Sequence, residues 1–238
     1  MTSSLKNKIL VFENMHNQND YPNIINENVV DISEGKKDLS SIYYRIKNRK
    51  DLHSMSRVIS ETSEESKVST IVGMIDKQRL EDIIVSISSC IDVCFKKKVL
   101  IISYQDIGEN IKDITLNEAS IDLKGPTKRS LNTKKLSENI SVLNYSYFLS
   151  LFVGNSHALA GAMKQITSTF DKVIFLLDDK ELTDLGVDDR APILLSSHCD
   201  FIVRERKTRL STVKKSTEYL KSLGVKLGGV IYAKEEVI

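Results

Sequence analysis

The stretch Ser69-Thr-Ile-Val-Gly-Met-Ile-Asp-Lys-Gln-Arg-Leu-Glu-Asp82 decides how the rest of the chain is read. It opens as an apolar, β-branched run from Val68 to Met74. Past Gly73 it continues into Leu80, Ile83, Ile84, Ile87, Ile91 and Cys94 at helical spacing. A buried strand turning tightly into an amphipathic helix is the opening of a βαβ unit. The turn between them is where α/β proteins most often bind anions. A phosphate loop at such a turn needs glycines, so that backbone N–H groups converge on phosphate oxygens without Cβ atoms in the way. It also needs a lysine for the terminal phosphates and a Ser or Thr for Mg²⁺. Met74-Ile-Asp-Lys-Gln-Arg79 fills that place here. Lys77 matches the lysine, but Ile75 and Asp76 stand at glycine positions and Gln78 stands where the hydroxyl belongs. A second reading explains the same residues without any ligand: Asp76 as helix N-cap, with Lys77 and Arg79 in solvent.

From this junction the alternation continues. Lys98–Ser103, Ile140–Leu143, Lys172–Asp178, Cys199–Val203 and Leu227–Tyr232 read as strands, most of them apolar on both faces. Asn155–Phe170 carries a helical stripe of Leu159, Met163, Ile166 and Phe170. A further helix from Lys207 to Leu223, with Leu210, Val213, Leu220 and Leu223 inward, stops at Gly224. The stretch between Ser103 and Ile140 reads as irregular. The pattern predicts an α/β fold for residues 68–238, a doubly wound, mostly parallel sheet flanked by helices. Upstream, residues 1–35 are rich in Asn, Asp and Ser and read as an N-terminal arm. Residues 36–67 read as an amphipathic helix, with Leu39, Ile42, Tyr43 and Ile46 on one face, followed by a charged linker.

Composition narrows the class. With 238 residues, 41% hydrophobic and 28% charged, the chain can bury a sizeable core. It has no apolar run long enough for a transmembrane helix, and Met1–Asn7 lacks the apolar core of a secretory signal. A cytoplasmic location is expected, or a peripheral one at the inner face of the membrane. Cys90, Cys94 and Cys199 form neither a disulfide framework nor a metal motif and read as buried thiols, so no metal is expected. Net charge is +2, and the basic run Arg204, Arg206, Lys207, Arg209, Lys214 and Lys215 lacks the aromatic residues of a nucleic-acid module. Nucleic acid is therefore not an expected partner. The four histidines are scattered. No hydrolase motif occurs, and no catalytic residue is assigned.

The C-terminal half is more specific. Phe170-Asp-Lys-Val-Ile-Phe-Leu-Leu-Asp-Asp179, Ala191-Pro-Ile-Leu-Leu-Ser-Ser-His-Cys-Asp-Phe-Ile-Val-Arg204, Lys207-Thr-Arg209 and Leu220-Lys-Ser-Leu-Gly-Val-Lys-Leu-Gly-Gly-Val-Ile-Tyr232 form one diffuse pattern. It resembles the cytoplasmic domain of bacterial tyrosine kinases of capsule and exopolysaccharide synthesis, which are related to the MinD and ParA ATPases. The likeness covers roughly residues 40 to 235. It implies a P-loop-NTPase-like core, ATP and Mg²⁺ as cofactors, and a membrane-embedded polysaccharide co-polymerase or export protein as partner. Through Tyr44, Arg45 and Lys47, in the segment Tyr44-Arg-Ile-Lys47, it also implies a surface for assembly with like subunits or an active paralogue.

The chain departs from that family at each of three sites. The first is the loop just described. At the second, Ser103 and Gln105 hold the positions of two aspartates, and Asp106 falls one residue late. At the third, Leu176 aligns without gaps to the aspartate that positions Mg²⁺, with Asp178 two residues on. Phosphoryl transfer depends on positioning and charge neutralisation, so losing all three should remove most of the rate. The expectation is a catalytically degenerate scaffold or regulator of exopolysaccharide export, with no cofactor. One alternative is an atypical ATPase or tyrosine autokinase that binds ATP and Mg²⁺ through Lys77 and Asp178 in a shifted register. Another is a localisation or pilus-assembly protein of the MinD and ParA kind.

Overall fold

In the computed structural model, residues 7–11, 56, 57, 59, 67–105, 107, 108, 116–124, 129–186, 190–204 and 207–235 are described. Nine strands form one sheet: β1 (Asn7–Val11), β2 (Val68–Met74), β3 (Val99–Ser103), β4 (Asn117–Leu123), β5 (Arg129–Lys135), β6 (Ile140–Asn144), β7 (Lys172–Asp178), β8 (Cys199–Arg204) and β9 (Leu227–Glu235). Their order is β1-β9-β8-β2-β7-β3-β6-β5-β4. The six strands from β9 to β6 are mutually parallel, and β1, β5 and β4 add antiparallel pairs at the two edges.

Helix α1 (Lys77–Phe95) follows β2 and covers one face of the sheet. Helices α2 (Tyr145–Ser150), α3 (Ser156–Thr169), α4 (Asp179–Asp184), α5 (Ala191–Leu194) and α6 (Leu210–Ser222) lie along the other connections. Residues of all but α1 contribute to the core on the opposite face. The connection from β2 to β3 runs one way across the sheet, and those from β6 to β7 to β8 to β9 run the other. Right-handed crossovers in opposite directions place their helices on opposite faces. The fold is therefore doubly wound, as its strand pattern predicts.

The apolar periodicities are realised closely. Leu80, Ile83, Ile84, Ile87 and Ile91 are buried on α1, and Leu159, Met163 and Ile166 on α3. Helix α6 ends in a Schellman turn. The N–H of Val225 donates to Leu220 O and that of Gly224 to Lys221 O, with Gly224 at φ +76°. Two expectations are corrected. Helix α6 starts at Leu210, three residues later than its pattern suggests, and Leu210 is 57% exposed instead of inward. Leu210 is the first residue of the helix, preceding Val213 and Leu220, which pack on the core.

The stretch read as irregular holds the β4–β5 hairpin, and the short helix α2 follows β6 where no helix is expected. The hairpin shares only two residue pairs with β6, Lys134 with Val142 and Lys135 with Ser141. Side chains supply the remaining attachment: the Gln165 amide pairs with both backbone groups of Lys124, at 2.5 and 2.6 Å. Tyr147 Oη donates to Ser130 O at 3.2 Å. Ala119, Ile121 and Leu123 do alternate as a half-buried strand should, but the polar residues between them hide the signal. The predicted helix at residues 38–50, with the assembly residues Tyr44, Arg45 and Lys47, lies outside the described residues, as does the predicted linker at 61–67 apart from Lys67. Asp106 also lies outside them.

Candidate functional site

The chain leaves β2 toward β3 and leaves β7 toward β8, so the neighbouring C-termini of β2 and β7 form the topological switch point, where open α/β sheets bind ligands. Gly73 on β2 and Asp178 on β7 are cross-strand partners there. A cleft of about 600 Å³ opens at this point, lined by Ile75, Asp76, Lys77, Tyr104, Asp178 and Glu181 among others.

Only Ile75 and Asp76 separate the last residue of β2 from the first of α1. The ladder to β8 still holds at Met74, so no loop is left to wrap around a phosphate. Gly73 has a different reason to be glycine. A Cβ on it would collide with Cγ, Cδ1 and Cδ2 of Leu80, and Leu80 is fully buried. The glycine lets α1 lie close on β2. Asp76 caps α1, accepting from the N–H of Arg79 at 3.1 Å, and its carboxylate sits 3.3 Å from Arg79 Nε. A carboxylate thus occupies the helix N-terminus, the position a bound phosphate would take.

Lys77 and Asp178 do meet. Lys77 Nζ stands 4.0 Å from Asp178 Oδ2, with the lysine side chain 69% exposed and the aspartate 14%. An exposed lysine at that distance gains little from the pair. Asp178 is engaged elsewhere as the N-cap of α4, in a reciprocal capping box. Its Oδ1 accepts from Glu181 N at 2.7 Å, and Glu181 Oε2 accepts from Asp178 N at 2.7 Å. Burial pushes the Glu181 carboxyl above its ordinary value. The Asp178 N–H and the Lys77 charge pull against this, and the Asp178 carboxylate adds to it. Asp-x-x-Glu at 178–181 is itself the sequence signature of a capping box, a local rule sufficient to assign Asp178 to a helix start. Asp178→Ala should cost about 1 kcal/mol, read in urea unfolding, while Asp178→Asn should cost much less because the cap survives.

The other candidate positions are filled. Leu176, at the place of the metal-positioning aspartate, is fully buried in the core against α1. Ser103 is fully buried and accepts from the N–H of Gln105 at 3.0 Å. Asp76, Asp178, Asp179, Glu181 and Asp184 line the cleft together with Lys77 and Lys180, and Arg79 pairs with Asp76 at its edge. Five carboxylates against these three cations leave the cleft acidic, which opposes the entry of a polyphosphate. Cys90 and Cys94 are thiols 3.7 Å apart on α1, and burial holds the Cys90 thiol up to about 12. Among the described residues no group of three His, Cys, Asp or Glu side chains is placed to hold a metal, and no helix is long and apolar enough to cross a membrane.

The fold is α/β, doubly wound on a mostly parallel sheet. Among solved structures it is similar to the chimerical protein CapA2B2, at TM-score 0.52 and 14% identity over 76% of this chain and 82% of that one. Lower-scoring likenesses include the kinase domain of the Escherichia coli tyrosine kinase ETK, at TM-score 0.49 and 12% identity over 90% of this chain and 84% of that one. A ParA family ATPase from Chlorobium tepidum follows at 0.43 and 8% identity, over 69% and 72%. No family model and no curated protein matches the chain. At these identities the likeness is one of fold, and function has to be argued from the cleft.

Proposed function

We propose that the chain is a catalytically degenerate relative of the tyrosine-kinase and ParA-type fold that works without nucleotide, as a scaffold or regulator in exopolysaccharide or capsule export. The observation that carries this reading is the two-residue β2–α1 turn, in which Asp76 caps the helix where a phosphate would bind. The acid-rich cleft and the engagement of Asp178 in a cap support it. The link to polysaccharide export, with a membrane-embedded co-polymerase or export protein as partner, rests on the sequence resemblance. Purified protein given ATP and Mg²⁺ should release no phosphate and gain no phosphotyrosine above a no-protein blank. Turnover that disappears in Lys77→Ala would sink the proposal.

A second reading has one observation in its favour: Lys77 and Asp178 converge on a single cleft, within 4.0 Å of each other. In an atypical ATPase or autokinase, the lysine would leave the aspartate for a terminal phosphate and the aspartate would take Mg²⁺. Oδ2, which faces Lys77, would take the metal while Oδ1 keeps the α4 cap, so Asp178→Asn would then abolish activity while leaving stability nearly unchanged.

A further inference from the structure

Positive charge is distributed unevenly along the chain. Residues 204–226 hold eight lysines and arginines against two glutamates, a surplus of six in a protein of net charge +2, which leaves −4 for the rest. The structure places much of this surplus on one surface. Helix α6 buries Ser216 and Leu220 and half-buries Val213 and Tyr219 against the sheet. Its outward side carries Lys214, Lys215 and Lys221, all exposed, and Arg209 stands exposed at its N-cap. None of these four takes part in an ion pair among the described residues. Glu218 is the only acid within the helix. The misfit among the exposed residues is Leu210, 57% exposed and on the same helical stripe as Lys214 and Lys221.

We infer that this face of α6 docks the protein on an anionic lipid surface. Four unneutralised cations along a helix of about 20 Å match a layer of anionic headgroups. Leu210 separates lipid from nucleic acid as the partner. An exposed leucine gains nothing against a ribbon of phosphates, whereas in a bilayer interface it enters the boundary between headgroups and acyl chains while the lysine stems reach back to the phosphates. The inference is independent of the nucleotide-free reading, because it uses no residue of the cleft.

Co-sedimentation with phosphatidylcholine vesicles containing about 30% phosphatidylglycerol tests it. The full chain should pellet with these vesicles and not with pure phosphatidylcholine, and retention should fall several-fold between about 0.1 and about 0.5 M salt. The triple variant Lys214→Gln, Lys215→Gln, Lys221→Gln should lose roughly tenfold or more in affinity. Leu210→Ser should weaken binding several-fold. All four positions are exposed, so the melting temperature of each variant should match the parent and serves as the folding control. Equal pelleting with neutral and anionic vesicles, or a triple variant that binds unchanged, would overturn the inference. So would binding to duplex DNA that exceeds vesicle binding at the same salt and is indifferent to Leu210→Ser. Failure here would leave the assignment of the cleft untouched.

Discussion

Gly73→Ala lowers the unfolding free energy by about 2 kcal/mol, because its methyl group must displace the buried Leu80 side chain from the β2–α1 contact. Chain entropy alone points the other way. Alanine restricts the unfolded state and would stabilise the protein by about 0.4–1 kcal/mol where the native backbone accepts it. The clash decides the sign, since Leu80 is fully buried and has no empty space to turn into. The double mutant isolates the cause. Leu80→Ala alone should cost about 2–5 kcal/mol through its cavity. In that background Gly73→Ala should become neutral or slightly stabilising, a coupling readable in urea unfolding of the four-member cycle. An unchanged cost in the Leu80→Ala background would mean that Gly73 is glycine for some other reason, with phosphate access the first to consider.

Lys172→Met stabilises the protein at neutral pH by about 2–3 kcal/mol, the size expected when a buried charge gives way to an apolar side chain of similar volume. Lys172 begins β7 and is only 2% exposed. Burial lowers its ammonium to about 8; the Asp200 charge partly opposes this and Lys97 adds to it. Below pH 8 the lysine is charged in both the folded and unfolded chain, so the full penalty of burying the ammonium is present. Between 8 and the unfolded value of 10.5 the folded state sheds its proton first. The unfolded chain then binds more protons, and stability rises with pH. The size of the shift corresponds to about 3 kcal/mol at 1.36 kcal/mol per pH unit. After the change Asp200 Oδ2 keeps His198 Nε2 as a neighbour at 3.2 Å. Chemical unfolding followed from pH 7 to 10 should show a rise in the parent that flattens in Lys172→Met. A variant less stable than the parent at pH 7 would show that the ammonium has a partner worth more than its desolvation.

Much of the fold was legible in the sequence because buried parallel strands are apolar along their whole length. Val68–Met74 and Lys172–Asp178 form strands with the bounds their residues suggest. The hairpin of β4 and β5 was not legible, because polar residues interrupt its alternation and its attachment to the rest of the fold uses partners distant in sequence such as Gln165. Leu210 shows a related limit: periodicity finds a helix face but not which of its residues meets a partner in the fold. At the site, sequence brought Lys77 and Asp178 forward as a pair, and the structure does bring them together. The engagement of Asp178 with Glu181 was within reach of sequence, since the capping box is a local rule. The collision of a Gly73 Cβ with Leu80 was not, because the closeness of a helix to its strand is a property of packing.

The central claim is that the switch-point cleft no longer takes nucleotide. Calorimetric titration of the purified chain with ATP and Mg²⁺, to millimolar nucleotide, tests it most directly. The account predicts no saturable heat, because Asp76 holds the α1 N-terminus and five carboxylates line the cleft. A saturable isotherm that is lost in Lys77→Ala would contradict it.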